Sequence, residues 1–355
     1  MSIREETLAR ETHPRPPRVA SRLSRAARGL PWQAVLAGPI VALATVIWAL
    51  IATHQAHVPF RDPDHVAALY LVLVAAGVVL LATLDIALRA GRPLSRASMA
   101  RVRRERWRPA RIFAASIALI SFYASYMAYR NLKAIVPLLR PGENFDKPLA
   151  ELDRDLFFGH DPAALLHALP GQWAITHFLS TFYVAFIVFL PLSLAIALVF
   201  ASNLRGSLFF ATALSANWIL GALTYFWLPS LGPIYADPGA FAHLPVSETT
   251  HLQATLLDQR VAFLADPVSS TPQAIAAFAS LHVSMSLTAA ISAHLFGLGR
   301  KLKIALWIWV AITLLDTIYL GWHYVVDDFG GVAITLLALL IARVLTGVDP
   351  RVRSA

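Results

Sequence analysis

Cysteine is absent from the 355 residues, so no disulfide can staple the fold and no thiolate can ligate a metal. Charge is scarce too, at 14% of the chain against 57% hydrophobic residues. No unit recurs at a period of 20–50 residues, which excludes a solenoid. The first 31 residues are basic and contain proline, and they lack a short apolar stretch followed by a small-residue cleavage site. No cleavable signal peptide is therefore expected, and the segment reads as a disordered tail.

What the chain has in abundance is apolar sequence gathered into runs of about twenty residues, the length of a helix that crosses a bilayer. Runs near 32–54, 64–88, 110–130, 173–201, 207–228, 273–297, 302–322 and 327–345 are each bounded by charges, prolines or glycines. The reading is an all-α, polytopic membrane bundle of about eight spans.

Lys and Arg then set the orientation. The N-terminal tail holds 7, the segment 89–111 holds 9, Arg205 adds 1, residues 300–303 add 3, and 3 more follow residue 342, so 23 of 30 fall on one side. The rule that basic loops stay inside predicts cytoplasmic termini and outward-facing loops at 131–172 and 229–272. These juxtamembrane arginines also explain the net charge of +9 as a match to anionic lipid headgroups, with no nucleic-acid partner expected.

Four regions follow: a basic tail at 1–31, a transmembrane hairpin with its basic loop at 32–111, a six-span core at 112–345, and a short cytoplasmic tail at 346–355. In the outward loop, "LAELDRDLFFGHDPAALLHAL" alternates acidic and apolar positions at helical spacing, as an amphipathic connector along the interface does. The sixth run is rich in Ala and Ser, which suits close helix packing inside a bundle.

Polar groups gather at the outer ends of three spans. "KAIVPLLRP" brings Lys133 and Arg140, "ASLHVS" brings Ser280 and His282, and "YLGWHYVVDDFGG" brings His323 and Asp327. Because the intervening spans come in pairs, all three segments emerge on one face. His323 and Asp327 are four residues apart and share a face if the helix continues through them. A carboxylate there can hold the proton of one imidazole nitrogen and leave the other free to attack. His282 can give a proton to a departing oxygen. Lys133, Arg140 and the Ser280 hydroxyl are suited to holding phosphate oxygens, with Arg130 a further outer cation. The bland alternative is that the histidines are solvated edge residues and Asp327 caps a helix. Asp328 is the favoured cap, and the eight histidines at 54, 57, 65, 160, 167, 177, 243 and 251 lack such spacing.

At these residues the chain resembles the type 2 phosphatidic acid phosphatase superfamily, whose signature is K-x6-R-P, then P-S-G-H, then S-R-x5-H-x3-D. Lys133 to Pro141 fits the first element, Ser280 and His282 half of the second, and His323 with Asp327 the end of the third. Ala279 and Leu281 depart from the second element, and Asp316-Thr317 stands in place of Ser-Arg. "SLH" followed by "YLxxHYxxDxxGG", with "FDKPLAELDRDLFFGHDP" and "YFWLPSLGP", is similar to the inositol phosphorylceramide synthase branch, where that arginine is likewise not kept.

The resemblance implies a six-helix core of that type and phosphoryl transfer without metal or cofactor. In it His323 attacks phosphorus, His282 protonates the leaving group and later activates the acceptor, and Asp327 orients His323. It also implies a phospholipid donor and a lipid-hydroxyl acceptor, within a cell membrane and on the outer face, or a lipid phosphatase with water as acceptor. A transporter would place its polar residues at the bilayer midplane rather than at one rim. A membrane cytochrome would need paired axial ligands, and only His294 lies well away from the outer surface.

Overall fold

The computed structural model describes residues 31–62, 65–91 and 94–349. The basic tail up to residue 30 and the last six residues, 350–355, lie outside the described residues. From Trp32 onward the described chain forms a single unit.

Thirteen helices and no strands occur among the described residues. In order they are α1 (Trp32–Gln55), α2 (Val66–Ala90), α3 (Arg96–Arg106), α4 (Pro109–Leu139), α5 (Asp146–Leu156), α6 (Pro162–His167), α7 (Gln172–Phe200), α8 (Leu204–Trp227), α9 (Pro233–Ala236), α10 (Glu248–Ala265), α11 (Leu281–Leu295), α12 (Arg300–Tyr319) and α13 (Val325–Thr346). Seven of them, α1, α2, α4, α7, α8, α12 and α13, are long and apolar enough to cross a membrane. The chain is a multi-pass membrane protein.

The sixth apolar run departs from the expected span. Its helix, α11, has 15 residues, and the chain before it is non-helical and largely buried from Gln273 to Ala279. Non-helical backbone at membrane depth is tolerated where protein covers it. Here Gln273 donates through Nε2 to the carbonyl of Lys133 (3.0 Å), and Ala277 N–H donates to Ser230 O (3.0 Å). The start of α11 is capped by Ser280, whose Oγ accepts from Val283 N–H at 3.4 Å.

Helix α8 is the axis of the bundle and touches α1, α4, α11 and α13. It is almost wholly buried because its sequence is small and polar on several faces, which lets neighbouring backbones approach. Asn217 on α8 donates to Thr288 Oγ1 on α11 (3.1 Å) and also contacts Ser284. The two helices of the hairpin behave differently: α1 packs deep against α4 and α8, while α2 is peripheral and exposes most of its apolar surface.

Two arginines of the basic segment anchor α7. Arg111 donates to the carbonyls of Leu198 (3.0 Å) and Ala201 (2.9 Å), and Arg106 to Val199 (2.8 Å). Cations at a helix C-terminus satisfy its last carbonyls and oppose its dipole. Arg106 also meets the buried carboxylate of Asp85 at 2.5 Å, which Arg89 shares at 2.7 Å.

Candidate active site

The segment joining α12 to α13 is short, residues 320–324, and the two long loops close over it. His167 Nε2 lies 2.8 Å from Tyr319 O, Ile234 N–H donates to Gly321 O (2.9 Å), and Gln253 donates to Leu320 O (2.8 Å). Gly321 adopts φ +74°, where a side chain would also strike Phe241 at 2.7 Å. His167 is therefore a buried strut.

Two carboxylates on α5 complete the clamp. Asp153 accepts from the N–H groups of Val325 (2.7 Å) and Val326 (3.0 Å), capping α13 from outside. Asp146 accepts from Leu231 N–H (2.9 Å), Gly232 N–H (2.8 Å) and the Tyr324 hydroxyl (3.2 Å). Burial raises the Asp153 carboxyl to about 6, against the pull of its two amides. Sequence reasoning took this helix for a solvated connector. The signal that could have found the pair was two aspartates seven residues apart, two turns of one face.

Held this way, His323 and Asp327 meet although the chain between them is not a complete turn of helix. His323 Nδ1 donates to Asp327 Oδ2 at 3.2 Å, and both side chains are buried. The same oxygen accepts from Tyr324 N–H at 3.0 Å, so Asp327 is at once the orienting carboxylate and the cap of α13. The cap was expected of Asp328. With Nδ1 carrying the proton, Nε2 is the nitrogen with a free lone pair.

His282, one residue into α11, approaches that nitrogen. Its Nδ1 lies 3.3 Å from His323 Nε2, with ring centroids 5.5 Å apart. In the tautomer in which Asp327 holds the Nδ1 proton of His323, His282 Nδ1 is the donor. The aromatic rings of Tyr183 (4.8 Å) and Phe186 (4.6 Å) flank His282, and Trp322 stacks on Tyr183 at 4.7 Å.

The close approach of α11 and α13 explains the paired glycines of "DDFGG". A Cβ on Gly331 would lie 2.6 Å from Ser280 O, and one on Gly330 would lie 2.5 Å from the Ala279 side chain. Without side chains there, Ser280 N–H reaches Asp327 O at 3.0 Å. Ser280 is fully buried and serves as the cap of α11 beside the imidazoles. The first N–H groups of α11 have no intrahelical acceptor, which favours an anion nearby.

The expected cations divide. Lys133, on α4, places its ammonium over the rings of Tyr225 (5.2 Å) and Tyr129 (5.9 Å), and its charge acts on both imidazoles. Burial pushes the His323 imidazole down to about 3, and Lys133 acts in the same direction. The other two face elsewhere: Arg130 pairs with Asp62 at 3.8 Å, and Arg140 with Glu143 (2.6 Å) and the Phe226 carbonyl. Arg130 lies on α4 and Arg140 just past its end, and at each a nearer oxygen takes the guanidinium.

Asp316 and Thr317 stand where the resemblance places Ser-Arg. Thr317 turns its hydroxyl back to Thr313 O (2.9 Å), and its carbonyl accepts from His323 N–H at 3.1 Å. Asp316 is 2% exposed, and its Oδ1 has no hydrogen-bond partner among the described residues. No group of three or more His, Cys, Asp or Glu among the described residues is placed to hold a metal ion.

Residues 147–341, more than half of the chain, match the family model described as the PAP2 superfamily. The match takes in Ser280, His282, His323 and Asp327 and leaves Arg130, Lys133 and Arg140 outside it. No curated protein and no solved structure matches the chain.

Proposed function

The chain belongs to the PAP2 superfamily, whose activities are of lipid phosphatase and phosphotransferase type, and from that premise we propose that it transfers a phosphorylated headgroup from a phospholipid to a lipid hydroxyl. The observation that carries the reading is a buried imidazole, oriented by a carboxylate, whose free nitrogen faces a second imidazole beside the ammonium of Lys133.

In the proposed reaction His323 Nε2 attacks phosphorus, the bond from phosphorus to the leaving oxygen breaks, and His282 Nδ1–H gives that oxygen its proton. Asp327 stabilises the positive charge that develops on His323. In the second half, His282 takes the proton of the acceptor hydroxyl, whose oxygen attacks the phosphohistidine and releases His323. Lys133 and the first N–H groups of α11 hold the phosphoryl oxygens. With nitrogens 3.3 Å apart, the resting imidazoles touch each other, so His282 turns aside as a phosphoester enters.

Transfer to a lipid alcohol is favoured over hydrolysis by the dryness of the surroundings. Asp327 is fully buried, His323 is 5% exposed, and His282 is walled by Tyr183 and Phe186, which limits water at the phosphoenzyme. By the charge distribution the site faces outward from a cell membrane, with both termini cytoplasmic. The absent arginine and the "YLGWHYVVDDFGG" segment support a place in the inositol phosphorylceramide synthase-like branch.

The test is purified protein in lipid nanodiscs with headgroup-labelled phospholipid, with and without ceramide or diacylglycerol. The expected result is label in a new lipid only when the alcohol is present, and an acid-labile, base-stable phosphoenzyme that His323→Ala abolishes. Inorganic phosphate as sole product would move the assignment to a phosphatase. Turnover by His323→Ala at the wild-type rate would end the phosphohistidine proposal.

A further inference from the structure

A cavity of about 550 Å³ lies far along the chain from the imidazoles, between the peripheral helix α2, the basic helix α3 and the first turns of α4. Its size is that of a ligand pocket. The walls from α2 and α4 are apolar apart from Thr83 and Ser116, while Arg103, Arg104, Trp107 and Arg108 stand together on its basic side. Among the described residues no carboxylate lines it.

The neighbouring charges sharpen the asymmetry. Asp85, the buried acid at this end of α2, is already shared by Arg89 and Arg106, and Arg111 is occupied by the carbonyls that end α7. Arg103 and Arg108 have no anionic partner among the described residues, and Arg104 meets only a carbonyl of its own helix, Ala100 O at 3.3 Å. Glu105, the acid of α3, is not part of the wall. Trp107 Nε1 is a buried donor with no acceptor among the described residues, which is costly unless a ligand supplies one. An apolar recess with an uncompensated cationic rim and an idle N–H donor matches a molecule that has a hydrocarbon chain and an anionic phosphate.

We propose that this cavity binds an anionic glycerophospholipid, with an acyl chain against α2 and α4 and the phosphate held by Arg103, Arg104, Arg108 and Trp107 Nε1. Basic pockets between transmembrane helices bind such headgroups. The lipid fills the space lined by α2, α3 and α4, and so ties the peripheral helix to the rest of the protein. The proposal is independent of the chemistry at His323.

The experiment uses the full-length protein, delipidated in neutral detergent and loaded with phosphatidylglycerol or phosphatidylcholine of matched acyl chains. Native mass spectrometry counts bound lipid, and thermal unfolding reports stabilisation. Each basic contact to an anionic headgroup strengthens binding several-fold, so wild type should retain phosphatidylglycerol at least about tenfold better than phosphatidylcholine. The triple variant Arg103→Gln, Arg104→Gln, Arg108→Gln should lose that preference. Ala82→Phe, which fills the wall without touching charge, should lose retention of both lipids. Arg96→Gln with Arg101→Gln, on the same helix but outside the wall, should keep the preference. Equal retention of the two lipids by wild type overturns the proposal. So does an Ala82→Phe protein that binds as wild type does, or a preference lost equally in the Arg96 and Arg101 variant, which would reduce the effect to diffuse surface charge.

Discussion

Replacing Asp327 by Asn isolates what the carboxylate contributes beyond its shape. In the structure one oxygen, Oδ2, accepts from both His323 Nδ1–H and Tyr324 N–H, while Oδ1 has no hydrogen-bond partner among the described residues. The Tyr324 amide can only donate, so it should hold the Asn carbonyl where Oδ2 now sits, and the His323 tautomer should survive. The amide NH2 then takes the place of Oδ1 and adds two unsatisfied donors, at about 1–3 kcal/mol of stability. What disappears is the negative charge facing an imidazole that becomes positive as it attacks phosphorus. Two unit charges about 4 Å apart at an effective dielectric near 20 interact by about 4 kcal/mol, which is about a thousandfold in rate. Asp327→Asn should therefore lose about three decades in kcat with little change in KM, and lose less than His323→Ala. Asp327→Ala should fall further, because it also removes a cap worth about 1 kcal/mol and frees the tautomer. Label transfer between lipids gives the rate, and acid quenching gives the phosphoenzyme level. Asp327→Asn working within about threefold of wild type would show that the carboxylate only shapes the turn, and the triad logic would fail.

The same geometry sets four further expectations. Gly331→Ala puts a methyl group 2.6 Å from Ser280 O, a backbone atom that cannot yield; it should cost about 1–3 kcal/mol and most of the activity, and a wild-type melting curve would refute the packing argument. Lys133→Met removes the charge that, after burial, holds the His323 imidazole low, so KM for the phospholipid should rise and the acidic limb of the kcat/KM profile should move to higher pH; an unmoved limb would separate Lys133 from the site. Asp153 has a folded value of about 6 against about 3.9 unfolded, so its contribution to stability is complete below about 3.9 and lost as pH rises through 6. The melting temperature of Asp153→Asn relative to wild type should accordingly be higher at pH 7 than at pH 4, and equal differences at the two values would contradict the assigned burial. Asp316→Asn should raise the melting temperature, since a buried carboxylate oxygen without a partner is expensive to keep charged; a fall would mean that Asp316 has a partner the resting structure does not hold.

The membrane bundle could be read from the sequence because a bilayer imposes a length on every span, and a water-soluble fold does not repeat apolar runs of about twenty residues. The helix of the sixth run begins at Leu281 rather than near residue 273. The run's apolar composition is real, but the N–H groups of Ala277, Phe278 and Ala279 are satisfied by Ser230 and Thr224, an exchange between distant segments that hydropathy along one chain cannot register. The three helix ends with their imidazoles were legible for a similar reason, since parity of spans alone puts them on one face. Their reach was not: Lys133, Arg130 and Arg140 follow one another on a single helix or at its end, and only the positions of Asp62 and Glu143 decide that the two arginines are engaged elsewhere.

Least legible was what holds the dyad in register. His323 and Asp327 straddle the start of α13, so their spacing of four does not by itself make them meet. They meet because Asp153 grips Val325 and Val326 while Asp146 grips Tyr324 and the Leu231–Gly232 amides. The groups gripped are mostly backbone N–H, which every residue but proline carries, so no residue type marks the receiving end. Only the donors of the grip have a signature, two acids on one face of an outer helix, and that signature is shared with any solvated amphipathic segment. The alignment of His323 with Asp327 is thus set by a helix 172–178 residues away in sequence, and mutations in "FDKPLAELDRD" should act on the rate of chemistry before they act on lipid binding.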